Sequence, residues 1–140
     1  MRSVWRIGFL TIMAVLAGCS IPNFDTSECR ESRTPVKEFY SYHFGNDMAF
    51  SPDNLTQREK FLSTGFVERL RIENPEIDPF TKESEEPKAF RVGECKTLEP
   101  GKRAIFQIVL FWRDDEQNRE KIINAEAVKQ GEEWRVDRVE

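Results

Sequence analysis

The chain has 140 residues, 33% of them charged, with 21 lysines and arginines against 25 aspartates and glutamates and a single histidine. That length suits one ordinary domain and leaves no room for a second. An acidic chain without a basic cluster gains little from releasing phosphate counterions, which argues against a nucleic-acid partner, and one histidine leaves no zinc or Ser-His-Asp site of the usual build, so neither metal nor cofactor is expected.

Arg2 and Arg6 precede an apolar run over residues 7–16 and the small residues Ala17 and Gly18, the layout of a secretory signal peptide at 1–18. A helix of ten residues rises about 15 Å against a hydrocarbon core of about 30 Å, too short to span. The tetrapeptide Leu16-Ala17-Gly18-Cys19 resembles the lipobox of bacterial lipoproteins, in which the cysteine thiol takes a diacylglyceryl group and becomes the mature amino end. The resemblance implies lipidation of Cys19 and attachment to a membrane through that anchor. Ser20 in place of an aspartate resembles Gram-negative lipoproteins sorted to the outer membrane, facing the periplasm; in a Gram-positive host the same anchor puts the domain on the outer face of the plasma membrane. Without Arg2 and Arg6 the 21 basic residues fall to 19 against 25 acidic ones, a net charge of −6.

Beyond Cys19 the cysteines are Cys29 and Cys95, and an exported chain meets an oxidising compartment in which such a pair joins; a disulfide is expected over two separate thiols. Residues 19–33 are polar and aperiodic and read as a lipid-anchored flexible linker. The domain is placed at 34–140. Thr34-Pro35 looks like a cap followed by proline at the first helical position, after which Val36, Phe39, Tyr40, His43 and Phe44 recur at helical spacing. Thr56-Gln57-Arg58-Glu59 reads as a capping box opening a second helix, with Gly65 as a bend and Phe66, Val67, Leu70 and Ile72 continuing the apolar stripe to Asn74-Pro75. The turn Ile77-Asp78-Pro79-Phe80 carries one anchoring aromatic, and the acidic stretch 82–87 reads as solvated.

From Phe90 the period becomes strand-like. Strands are predicted at 90–98, 103–113, 121–129 and 133–139, with turns at 99–102 and 130–132 and a charged loop at 114–120. Helices first and a meander after them predict an α+β fold: amino-terminal helices packed on a curved antiparallel sheet of about four strands. This order, closing on GEEWRVDRV (131–139), resembles the cone-shaped nuclear transport factor-like fold, also called cystatin-like. PVKEFY (35–40), DPF (78–80) and the closing tryptophan strand resemble a family of bacterial lipoproteins whose domain has no assigned function. The resemblance implies a fold and no activity, because this fold hosts isomerases, dehydratases, transport factors and plain binding modules.

Catalytic members of that fold place a His, Asp or Tyr set in an apolar pocket, whereas here His43 sits beside Tyr40 and Phe44 on a helix face, where a structural role is expected. Arg135 and Asp137 share one face of the last strand and either reach the sheet's concave side or form a surface pair. The strand at 104–112, AIFQIVLFW, is apolar on both sides. Ala104, Phe106, Ile108, Leu110 and Trp112 form one face, and Ile105, Gln107, Val109 and Phe111 the other. Helices cover one side; the second meets a cone interior, a second subunit or a partner, or is filled by loop residues such as Phe80. The sequence therefore favours a non-enzymatic binding module for an envelope protein, with Phe80, Ile105, Gln107, Val109, Phe111, Arg135 and Asp137 as the binding set. The alternatives are a carrier of a small molecule or lipid, a weak hydrolase using the same concavity, or a tethered inhibitor of a secreted enzyme or toxin acting through 82–87.

Overall fold

The computed structural model describes residues 25–113 and 118–140. Three α-helices, α1 (Ser27–Phe44), α2 (Pro52–Arg58) and α3 (Thr64–Glu73), precede four strands, β1 (Ala89–Glu99), β2 (Arg103–Arg113), β3 (Asn118–Gln130) and β4 (Glu133–Val139). The strands form one antiparallel meander in the order β1-β2-β3-β4, with the helices packed on one side, an α+β architecture of two layers. Both tight turns carry a glycine at positive φ, Gly101 (73°) and Gly131 (65°), where a side chain would strain the backbone.

Helix α1 starts earlier than Thr34-Pro35 suggests. Its cap is Thr26, whose hydroxyl accepts the Cys29 amide at 3.3 Å, and Pro35 lies inside it. The residues assigned to the flexible linker at 27–33 are thus its first two turns. They hold because they are fastened to β1. Cys29 and Cys95 form a disulfide, the hydroxyls of Thr26 and Thr97 lie 2.6 Å apart, and Arg33 donates to the Gly93 carbonyl at 2.8 Å. Further along, Tyr40 and Phe44 pack on Phe90. The helix therefore runs antiparallel to β1, from its carboxyl end to its amino end.

Glu28 in the first turn accepts from the Gly101 amide at 2.9 Å and from Thr97. Its own backbone amide, then that of Gly101, bring its pKa down from 4.5 to about 2. A carboxylate with a depressed folded-state pKa contributes above its ordinary value and loses that contribution as pH falls through the folded one. The Gly101 amide resonance is expected to hold its position through pH 4.5 and to shift with a midpoint near pH 2, and Glu28→Gln to abolish that titration; a midpoint near 4.5 would refute the contact.

Helix α2 is capped by Ser51, which accepts the Asn54 amide, with Pro52 at the first position. Thr56 is not a cap: it lies within the helix and its hydroxyl donates to the Pro52 carbonyl. The break expected at Gly65 falls at Leu62-Ser63, where the Ser63 amide donates to Val136 and Leu62 bridges to β4. Ser63 then caps α3, and Gly65 sits in its first turn. Ile72 does not continue the stripe but is 85% exposed. Among the described residues no helix is long and apolar enough to cross a membrane.

The core joins Val36, Phe39 and Tyr40 of α1, Leu55, Phe66 and Leu70 to the inward row of β2, Ala104, Phe106, Ile108, Leu110 and Trp112. Phe80 belongs to it too. Its ring packs on Phe39, His43 and Phe66, on the helical side, so it covers nothing on the other face of the sheet.

Candidate functional site: the uncovered sheet face

Along β2 the side chains alternate, so the residues between those of the core emerge on the opposite face. Ile105, Gln107, Val109 and Phe111 stand there together, as their spacing predicts. Cross-strand neighbours extend the row: Val109 pairs with Arg91 of β1 and Ile122 of β3, Gln107 with Asn124, and Ile105 with Lys96 and Glu126. Among the described residues no helix packs on this side. Ile122 is 53% exposed and Ile105 and Phe111 are half-buried, whereas Val109 is only 4% exposed because its neighbours close over it. A partner would therefore gain most from Ile105, Phe111 and Ile122, and Val109 would serve as the floor beneath them. The Gln107 backbone lies close over Gly93, where an added Cβ would stand 3.2 Å from the Gln107 carbonyl oxygen, so the glycine permits the close approach of β1 and β2.

One end of this face is closed by charge. Glu126 is buried and held between two arginines, accepting from Arg103 Nε at 2.6 Å and Arg138 Nη2 at 2.6 Å. A bulge opposite Glu126-Ala127 inserts Asp137 into β4, so that Val139 turns into the core rather than sharing a face with Arg135 and Asp137. Asp137 accepts from Arg103 and from the Ser63 hydroxyl, which in turn caps α3. Arg135 instead pairs with Glu133. Arg135 and Asp137 thus do not act as a pair: the aspartate ties β4 to α3 and β2, and the arginine lies apart from the apolar row.

The other polar cluster is internal. His43 Nε2 donates to Asp78 Oδ2 at 2.8 Å, while Nδ1 accepts from Arg58 Nε at 2.8 Å. Because a guanidinium keeps its proton, Nδ1 must be the acceptor and Nε2 the donor. Both nitrogens are spoken for and the ring is fully buried, so no position remains from which it could take a substrate proton. Arg58 is itself buried; burial lowers its pKa, and it also donates to the Asn54 and Asp47 carbonyls. Tyr40 donates to the Phe80 carbonyl at 3.0 Å, and burial pushes its hydroxyl pKa well up. Among the described residues every buried side-chain polar atom has a partner.

The stretch at 82–87 is largely exposed, as expected, but it is fastened at Glu83 and at the Glu85 backbone. Glu83 pairs with Lys121 and Arg119, which lower its pKa, and the Glu85 carbonyl accepts the Trp112 indole at 3.0 Å. Cys19 lies outside the described residues. Arg58, Ser63, Arg103, Glu126 and Arg138 were not marked by the sequence as organising residues. The Ser51-Pro52 cap was a usable signal for placing Arg58 in the last turn of a helix, but nothing in the alternation of β3 distinguishes Glu126 from a solvated outward residue.

No family model matches the chain, and no curated protein matches it. Among solved structures it is similar to a protein of unknown function from Bacteroides thetaiotaomicron, with a TM-score of 0.58 and 17% identity, covering 81% of this chain and 93% of that one. At that identity the likeness speaks to the fold alone, and it agrees with three helices on a four-stranded antiparallel sheet.

Proposed function

We propose that this is a lipid-anchored envelope protein, acylated at Cys19, whose domain works as a binding module by docking an envelope protein on the uncovered sheet face. The observation that carries the reading is the row Ile105, Phe111 and Ile122 standing over Val109 on a sheet whose described helices all pack on the other side. An exposed apolar row on a sheet marks a contact surface. The space between sheet and helices favours a protein partner over an enclosed ligand, since it is filled by Phe39, Tyr40, Phe80, Phe106 and Ile108, all at 2% exposure or less. The engaged nitrogens of His43 favour binding over proton-transfer catalysis. An anchor shared with the partner's membrane raises their effective concentration, so a modest face suffices.

A photo-crosslinking residue placed at Phe111 is expected to capture one envelope protein in cells, while the same residue at Glu68 on α3, an exposed helical position, captures none. Combining Phe111→Ser with Ile122→Ser is expected to weaken that complex by about a hundredfold, from the loss of two apolar contacts of about 1.5 kcal/mol each, with thermal stability nearly unchanged. Equal capture from both positions, or undiminished capture by the double variant from a neighbouring position, would refute the reading.

A further inference from the structure

The first turn of α1 is seated on the β1–β2 hairpin. Thr26 meets Thr97, Cys29 is bonded to Cys95, and Glu28 accepts the Gly101 amide. Only six residues separate Cys19 from Thr26, a reach of at most about 25 Å when fully extended. This is shorter than α1, whose 18 residues rise about 27 Å. A chain leading to a lipid at Cys19 therefore leaves the domain beside the hairpin tip, without enough length to carry that end far from the bilayer or to lay the opposite end against it.

The surface at this end combines one apolar contact with charge of both signs: Glu99 is held by Lys102, and Glu132 and Glu133 stand exposed on the neighbouring turn. Leu98, 51% exposed, is the large apolar side chain at the hairpin, and the exposed Lys96 stands two residues before it, able to lay its aliphatic stem along an apolar surface and keep its ammonium among phosphates. From there β2 leads away: between Arg103 and Phe111 it rises about 26 Å.

We infer that the hairpin end of the domain, with Leu98 as its contact, rests on the phospholipid surface, so that the strands stand away from the bilayer and the uncovered face is presented sideways to a membrane neighbour. The inference rests on acylation of Cys19. It also sets a height: a partner that reaches Phe111 must itself project about 26 Å beyond the level of the hairpin.

The test uses the mature acylated protein in vesicles of phosphatidylethanolamine and phosphatidylglycerol. With Cys19 acylated and Cys29 and Cys95 joined, a thiol-reactive fluorophore labels only an introduced cysteine, at Leu98→Cys or at Glu120→Cys near the far end of the sheet. With a nitroxide on the lipid headgroups, the label at 98 is expected to be quenched several-fold more strongly than the label at 120. Equal quenching, or stronger quenching at 120, in protein shown by intact mass to be acylated would overturn the orientation alone. An unmodified amino end in the same mass measurement would overturn the anchor and the orientation with it.

Discussion

Replacing Cys29 and Cys95 together by serine is expected to lower the unfolding free energy by about 4 kcal/mol, the chain-entropy value for a loop closed over 66 residues. For a domain of this size that is a fall of about 15 °C in the melting temperature by calorimetry. Reduction of the native protein is expected to give the same fall, since both remove the same constraint. The amino end of α1 should loosen first, because the disulfide, the Thr26–Thr97 contact and the Glu28–Gly101 bond all act within its opening turn. Faster amide exchange at 27–33, with the β2 amides unaffected below the melting point, would show it. A fall of only a degree or two would mean that the hydrogen bonds hold the helix unaided.

Breaking the internal cluster at Asp78 is expected to cost about as much. Its Oδ1 accepts the Phe80 amide at 2.9 Å, and Oδ2 accepts both His43 Nε2 and the Thr81 hydroxyl. Asp78→Ala strands these donors in a site closed to water, a loss of about 3–5 kcal/mol. The informative variant is Asp78→Asn. If its oxygen keeps the Phe80 amide, its NH2 group faces Nε2–H of His43, and the ring cannot turn acceptor there because Nδ1 already receives the Arg58 proton. Asp78→Asn is therefore expected to fall nearly as far as the alanine variant in urea unfolding. A nearly neutral asparagine would mean that the imidazole is free to switch tautomer, and would reopen a proton-transfer role for His43.

The sheet was legible because its signals are local. Alternation along 103–113 located β2 and sorted its faces, and the glycine turns at 101 and 131 separated the strands to within a residue or two, the exception being β3, which starts three residues early, at Asn118. The start of α1 was not legible, since what holds 27–33 as helix is contact with residues sixty or more positions away. Pro35 misled for the same reason: proline marks a helix start when local terms decide, and here tertiary fastening outweighs the lost bond. Of the candidate set, Ile105, Gln107, Val109 and Phe111 share a face as their parity requires. Phe80 does not join them; Arg135, opposite Val128 and through it Arg103, keeps the parity of that face but pairs with Glu133, and Asp137 belongs to the charged cluster at its end. A loop aromatic has no parity to place it, and the bulge at Asp137 shifts the alternation of β4 beyond Val136.

The seating of α1 also decides how the domain bears mechanical load. Tension drawn from the amino end enters at Thr26 and, three residues on, crosses a covalent link into β1, so the rest of the helix is bypassed. The pull then falls on a strand paired with β2 on both sides of the irregularity next to Cys95, so that several hydrogen bonds share it instead of parting one at a time. A body stretched from its amino end in this way stays folded under drag that would unravel an unlinked helix from its tip.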